Sequence, residues 1–195
     1  MYLNSDDIRL MIEKYNLIEP SPNLDQEPSN RIEGATYDFR LGKVFIPDPA
    51  SDITPYFGFD PGGSEIRRLP PLIELEPVGG TYRLYEGNSY IIQSVETFNL
   101  PKVEDVGVGI GGLVGSKSSY FIALTELTGT FISPGFSGKL KCKLKCDFRP
   151  YIEVAQNYRI GCVKFFYHTI GKCDDYQGIW QGDKVTTDGR IERGY

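Results

Sequence analysis

This 195-residue chain is poorly supplied for metal chemistry, with one histidine, His168, and four cysteines that form no CxxC pair. A zinc nucleobase deaminase requires an H-x-E with a P-C-x-x-C, and neither is present. Cys142, Cys146, Cys162 and Cys173 read as buried reduced thiols, with structural zinc from four scattered cysteines as the alternative. A basic excess is also lacking: the net charge is −5 and the pI is about 5.0. General coating of nucleic acid is therefore not expected, although a local basic strip remains open. No apolar run approaches the ~18 residues of a membrane span, and the opening MYLNSDDIRL lacks a signal-peptide core, so the expectation is a cytoplasmic protein with no membrane partner.

What is present suits a compact β protein. Hydrophobic residues at 40% and aromatics at 13% supply a core, and the length fits one domain over 1–195. Residues 5–16, SDDIRLMIEKYN, predict a short helix capped by Ser5 or Asp6, with Ile8, Met11, Ile12 and Tyr15 on one stripe. Little else reads as helical. Short β-branched and aromatic runs lie between turn signals: TYDFRL, KVFIP, TYRLYE, SYIIQSVETFNL, VGVGIGGLVG, FIALTEL, GTFIS, KLKCKLKC, YIEVA and RIGCVKFFYHTI. Many short strands at close spacing predict a barrel or sandwich. Residues 48–78 are a Pro/Gly-rich excursion, read as an insertion packed over the barrel. Residues 174–195 are a polar tail suited to covering a site or remaining mobile.

The stretch GKLKCKLKC, residues 138–146, alternates strictly. Period two predicts a strand with Leu140, Cys142, Leu144 and Cys146 inward and Lys139, Lys141, Lys143 and Lys145 sharing the other face. That face is either a solvated or edge-protecting surface or a place where an anion is met. GIGGLVGSKSS, residues 109–119, superficially resembles a phosphate-binding P-loop. Ser116 separates Gly115 from Lys117, and YFIALTEL reads as β where a P-loop needs a helix. Lys117, Ser118 and Ser119 still offer an ammonium, two hydroxyls and open backbone N–H groups, an anion cradle by composition or else a flexible turn.

Four ordered stretches resemble the dCTP deaminase family of the trimeric dUTPase superfamily. RIEGATYDFRLG resembles its G-A-x-x-D-x-R-L-G turn into a strand, and GSKSS stands in the place of G-R-S-S. FISPGFSGKLKCK resembles I-D-P-G-[WF]-S-G-x-x-x-x-E, and NYRIGCVKFF resembles P-G-x-x-I-G-x-L-x-F. The opening LNSDDIRLMIE and the tail DYQG…QG are similar to the family's first helix and its K-Y-Q-G tail. The resemblance implies a distorted jelly-roll-like β-barrel with a short N-terminal helix, assembled as a homotrimer with sites between neighbouring subunits. It further implies metal-free deamination by a glutamate that activates water at C4 of cytosine, with Mg²⁺ accompanying the triphosphate and no zinc.

The chain departs from the pattern where the chemistry lies. The family glutamate falls at Lys143, the aspartate of I-D-P-G is Ser133, and the arginine of G-R-S-S is Lys117. An ammonium is no substitute for a carboxylate base unless strongly desolvated, and lysine lacks arginine's bidentate fork. Between Ser119 and Ile132 the spacing is two residues short of the family's, and a second family arginine has no counterpart there. Glu126 is the only acid in that stretch, a surface charge or a substitute base. The catalytic candidates are thus Glu126 and Lys143. The phosphate-binding candidates are Lys117, Ser118, Ser119, Ser133, Lys141, Lys143, Lys145, Tyr176 and Gln181. Asp38 and Arg40 read as structural, and Trp180 as a stacking or packing residue. Three readings follow: a catalytically degenerate nucleotide-binding trimer, a working dCTP deaminase or dUTP pyrophosphatase with rearranged residues, and an interaction trimer that ignores nucleotides. The ligand's identity and a cellular or viral origin stay open.

Overall fold

The computed structural model describes residues 1–19, 31–59, 61–63, 65–123, 125–168, 174–177, 181 and 190–193. In chain order they form helix α1 (Ser5–Tyr15) and strands β1 (Ile18–Glu19), β2 (Ile32–Glu33) and β3 (Thr36–Pro47). Strands β4 (Tyr56–Phe59), β5 (Glu65–Leu69), β6 (Leu72–Glu74), β7 (Thr81–Tyr85) and β8 (Ser89–Asn99) follow. Then come helix α2 (Val103–Val106), β9 (Gly109–Ser116), helix α3 (Ser118–Ile122), β10 (Thr125–Thr128) and β11 (Phe131–Ile132). The chain finishes with β12 (Ser137–Cys146), β13 (Tyr151–Ala155), β14 (Arg159–His168) and β15 (Arg190–Arg193).

Ten of these strands form one curled sheet with the order β10-β12-β8-β3-β14-β9-β11, in which β1 also pairs with β8, and β2 and β6 with β3. The two expected strands TYDFRL and KVFIP are one strand, β3. Its first half pairs with β14 and its second half with β8, so β3 links two differently facing parts of the sheet. Gly42 permits that crossing, since a Cβ there would lie 3.0 Å from the Ser94 carbonyl oxygen. Tyr37, Phe39, Phe98 and Phe165 fill the interior, with Phe98 edge-on to Tyr37 at 6.0 Å and to Phe39 at 6.4 Å. Gly161 on β14 is required by this core: an added Cβ would stand 2.6 Å from the Phe39 ring.

Three expectations need correction. Asn4, not Ser5 or Asp6, caps α1: its side chain accepts from the backbone N–H of Asp6 and Asp7 at 2.9 Å each. All three residue types cap well, and Asn4 prevails because Asp7, three positions on, closes a capping box by accepting the Asn4 N–H at 3.1 Å. The YFIALTEL stretch read as β is only partly so: Tyr120–Ile122 join Ser118 and Ser119 in the short helix α3, where the Tyr120 N–H donates to the Lys117 carbonyl at 3.0 Å and the Ala123 N–H to the Ser119 carbonyl at 3.1 Å. Helix α2 was not anticipated at all. The excursion at 48–78 is more ordered than its composition implies: β4 and β5 form a hairpin, β15 from the tail pairs with β5, and β6 returns to β3. Trp180 and Cys173 lie outside the described residues.

A local irregularity in β8 positions charged groups. Lys139 pairs with Thr97 and Lys141 with Gln93, so Ser94, Val95 and Glu96 together face Leu140. The Ser94 hydroxyl accepts the Leu140 N–H at 2.8 Å and donates to the Glu96 carbonyl at 2.7 Å, satisfying groups the bulge would otherwise strand. The bulge carries Glu96 inward, where it is fully buried.

Candidate functional site

The alternation of β12 holds in three dimensions. Leu140, Cys142, Leu144 and Cys146 are buried, whereas Lys143 is exposed and Lys139, Lys141 and Lys145 are half-buried. Residues directly opposite in an antiparallel pair share a face. Lys143 therefore stands between Ile91 of β8 and Thr128 of β10, and Lys145 between Ser89 and Glu126.

This lysine face forms one wall of a cavity of about 630 Å³, a size suited to a small ligand. Lys139, Lys141 and Lys143 contribute to it, with Phe131 from β11, Ser133 from the turn before β12 and Tyr176 from the tail. Another wall is apolar, built by Pro47, Leu69, Pro70 and Leu72, while Ile91 is the apolar neighbour of Lys143 on the lysine wall. Sequence reasoning missed the apolar wall. The Pro/Leu pattern of LPPLIEL was its only trace, and nothing local to that segment says which strand it faces. No acidic residue is among the described residues that line the cavity.

The tail is pinned across the cavity's rim. The Tyr176 N–H donates to the Pro134 carbonyl at 2.7 Å, and its ring meets Phe136 edge-on at 5.7 Å. Asp175 accepts the Val103 N–H at 2.9 Å. Gln181 donates to the Gly135 carbonyl at 2.8 Å and accepts the Ser137 N–H at 3.1 Å. Gly135 has φ +72°, and an added Cβ would be 2.8 Å from Asp175, so the tail lies close over this turn. Gln181 is thus a latch on the turn, and among the described tail residues Tyr176 reaches the cavity.

The remaining candidates lie elsewhere in the chain. Lys117, Ser118 and Ser119 do not line the cavity. Lys117 is ion-paired with the buried Asp38, which Arg159 also approaches at 3.5 Å, and Ser118 and Ser119 are exposed at the start of α3. Lys145 bonds Asp147 at 2.8 Å, and that hydrogen bond raises its pKa. Glu126 is exposed on β10 beside Lys145, outside the cavity. Cys142 meets the cavity beneath the lysines. Burial pushes its thiol up to about 12, which leaves it protonated and a poor nucleophile.

Arg40 is structural, as read. Its Nε donates to Glu96 at 2.7 Å and its backbone N–H to the same carboxylate at 2.9 Å, while Arg31 pairs with Glu96 as well. Arg31 also lies over the Tyr37 ring at 5.9 Å. Burial raises the Tyr37 phenol pKa, with the Glu96 charge adding to it.

No family model matches the chain. Among solved structures it is similar to the 2'-deoxycytidine 5'-triphosphate deaminase of Agrobacterium tumefaciens, with 18% identity and a TM-score of 0.58. That alignment covers 84% of this chain and 47% of the other, so the chain spans about half the length of that relative. The dUTPase of Staphylococcus bacteriophage 80alpha aligns at 12% identity and a TM-score of 0.47, covering 83% of this chain and 96% of that one. The EIAV dUTPase aligns at 13% identity and a TM-score of 0.40, covering 74% and 99%. Among the described residues, no helix is long and apolar enough to cross a membrane. The architecture and the first of these likenesses agree: the chain has a divergent dCTP deaminase/dUTPase-like β fold.

Proposed function

We propose that this chain binds a phosphorylated nucleotide in the cavity of β12 and holds it without transforming it. One observation carries the reading: Lys139, Lys141 and Lys143 line a cavity with Ser133 and Tyr176 that no acidic residue lines among the described residues. Three ammonium groups and two hydroxyls are the chemistry of anion capture. Activation of water requires a proton acceptor of suitable pKa, and the position matching the family glutamate is Lys143. The apolar wall gives a base somewhere to lie.

In this reading the protein is a homotrimer of single-domain chains. Lys117, Ser118 and Ser119 of one copy face the cavity of its neighbour, which accounts for a candidate set that one chain leaves divided. The 48–78 excursion is part of the same domain and acts as the cavity's roof. A working deaminase or pyrophosphatase has less support, because its substitute base, Glu126, stands outside the cavity beside Lys145.

The test mixes excess protein with a nucleotide panel that includes dCTP and dUTP, with and without Mg²⁺. The mixture is filtered, and both the filtrate and the denatured protein fraction are chromatographed. A nucleotide depleted from the filtrate and recovered intact from the protein is the expected result. Formation of dUTP from dCTP, or release of dUMP and pyrophosphate, would make the chain an enzyme.

A further inference from the structure

The resemblance implies that the nucleotide enters as its Mg²⁺ complex, and the donor set of this cavity does not fit that ion. Magnesium is held by carboxylates together with substrate phosphates and water. The cavity's described lining offers Lys139, Lys141, Lys143, Thr130, Ser133 and Tyr176 as polar side chains, and no Asp or Glu. Several acids outside the cavity are engaged in contacts of their own. Asp38 is held by Lys117 and Arg159, Asp147 by Lys145, and Asp175 by the Val103 N–H. Among the described residues, no group of three His, Cys, Asp or Glu is placed to hold a metal ion.

We propose that this site takes its nucleotide as the metal-free polyanion, with the lysine row supplying the countercharge that a divalent cation would otherwise bring. The inference rests on the nucleotide reading above. Alternate residues of a strand repeat at about 7 Å, so three lysines spread positive charge along roughly 14 Å of one wall. Each ammonium can reach phosphate oxygens from a flexible stem, as a point charge with no fixed fork. The apolar wall of Leu69, Pro70 and Leu72 excludes water from its side and so strengthens each charge contact. A bound Mg²⁺ would face three ammonium groups and cancel part of the charge they attract. The ligand class is therefore a free nucleoside polyphosphate anion, selected against its magnesium complex.

The experiment measures equilibrium binding of dCTP, dUTP and inorganic tripolyphosphate to the full chain, once in excess EDTA and once in excess Mg²⁺. Binding in EDTA that equals or exceeds binding in Mg²⁺ is expected. Lys143→Glu, at an exposed strand position, should weaken binding in EDTA by about tenfold or more, and Mg²⁺ should restore part of it. Near-ultraviolet circular dichroism confirms that this variant is folded. Wild-type binding that needs Mg²⁺ would overturn the metal-free inference and leave the nucleotide reading standing. An absence of binding in both buffers would overturn the nucleotide reading and this inference with it.

Discussion

Two sets of basic side chains flank β8, one centred on β3 and the other on β12, and their surroundings are opposite. Arg31 and Arg40 are buried around Glu96, which the β8 bulge drives into the interior. Lys139, Lys141 and Lys143 of β12 line a cavity with no carboxylate among its described lining residues. In the first arrangement one carboxylate is shared by two guanidinium groups inside the protein, and the contacts serve the fold. In the second, three lysines line a space of ligand size. Arginine suits the buried role because its guanidinium is weakly hydrated and donates in a fixed geometry, and lysine suits the open one because its ammonium moves.

The comparison can be broken most severely at Glu96. Glu96→Gln should lower stability by about 3–5 kcal/mol, because two buried guanidinium groups lose their counter-ion. Urea titration followed by far-ultraviolet circular dichroism measures this, and a loss below about 1 kcal/mol would mean that the cluster is not what holds β3 to β8. Arg40→Lys comes next, at about 1–3 kcal/mol, since it keeps the charge and loses the Nε contact to Glu96.

Alkaline pH probes the interior rather than the cavity. Burial raises the Cys142 thiol from 9.0 to about 12 and raises the phenols of Tyr37 and Tyr120. The native state holds these groups protonated while the unfolded chain releases their protons first. Their contribution is therefore complete below about pH 9 and falls as pH climbs toward 12. Denaturation midpoints across that range should decline, and a flat profile would contradict the burial of these groups. Salt gives the smallest effect on stability. Raising it toward 1 M shortens the Debye length to about 3 Å, which should leave unfolding nearly unchanged while weakening ligand capture by the lysines.

Much of the fold was legible because it rests on local pattern. KLKCKLKC has strict alternation over consecutive positions, and β12 follows it residue by residue. TYDFRL and KVFIP were seen as strands, but their union as β3 was not, because Gly42 reads as a break and in fact admits a close strand crossing. Asn4 was overlooked because cap residues stand in a row and only the reciprocal bond to Asp7 decides among them. The candidate site was legible in part. Ser133, Lys141, Lys143 and Tyr176 meet at one cavity although they come from three segments. Its apolar wall was not foreseen, since Leu69 and Leu72 reach it by long-range folding that leaves no periodic signature. Lys117 was read for its charge alone, and its partner Asp38 lies far away in sequence.

The central claim is that the lysine face of β12 captures a nucleotide and leaves it unchanged. Its most direct test is calorimetric titration of wild type and of the Lys141→Gln/Lys143→Gln variant with the nucleotide recovered from the panel, followed by chromatography of the bound ligand. The account predicts wild-type binding, an affinity at least about tenfold lower in the variant at unchanged stability, and ligand recovered intact. Equal affinity in both proteins, or a ligand deaminated or hydrolysed on recovery, would contradict it.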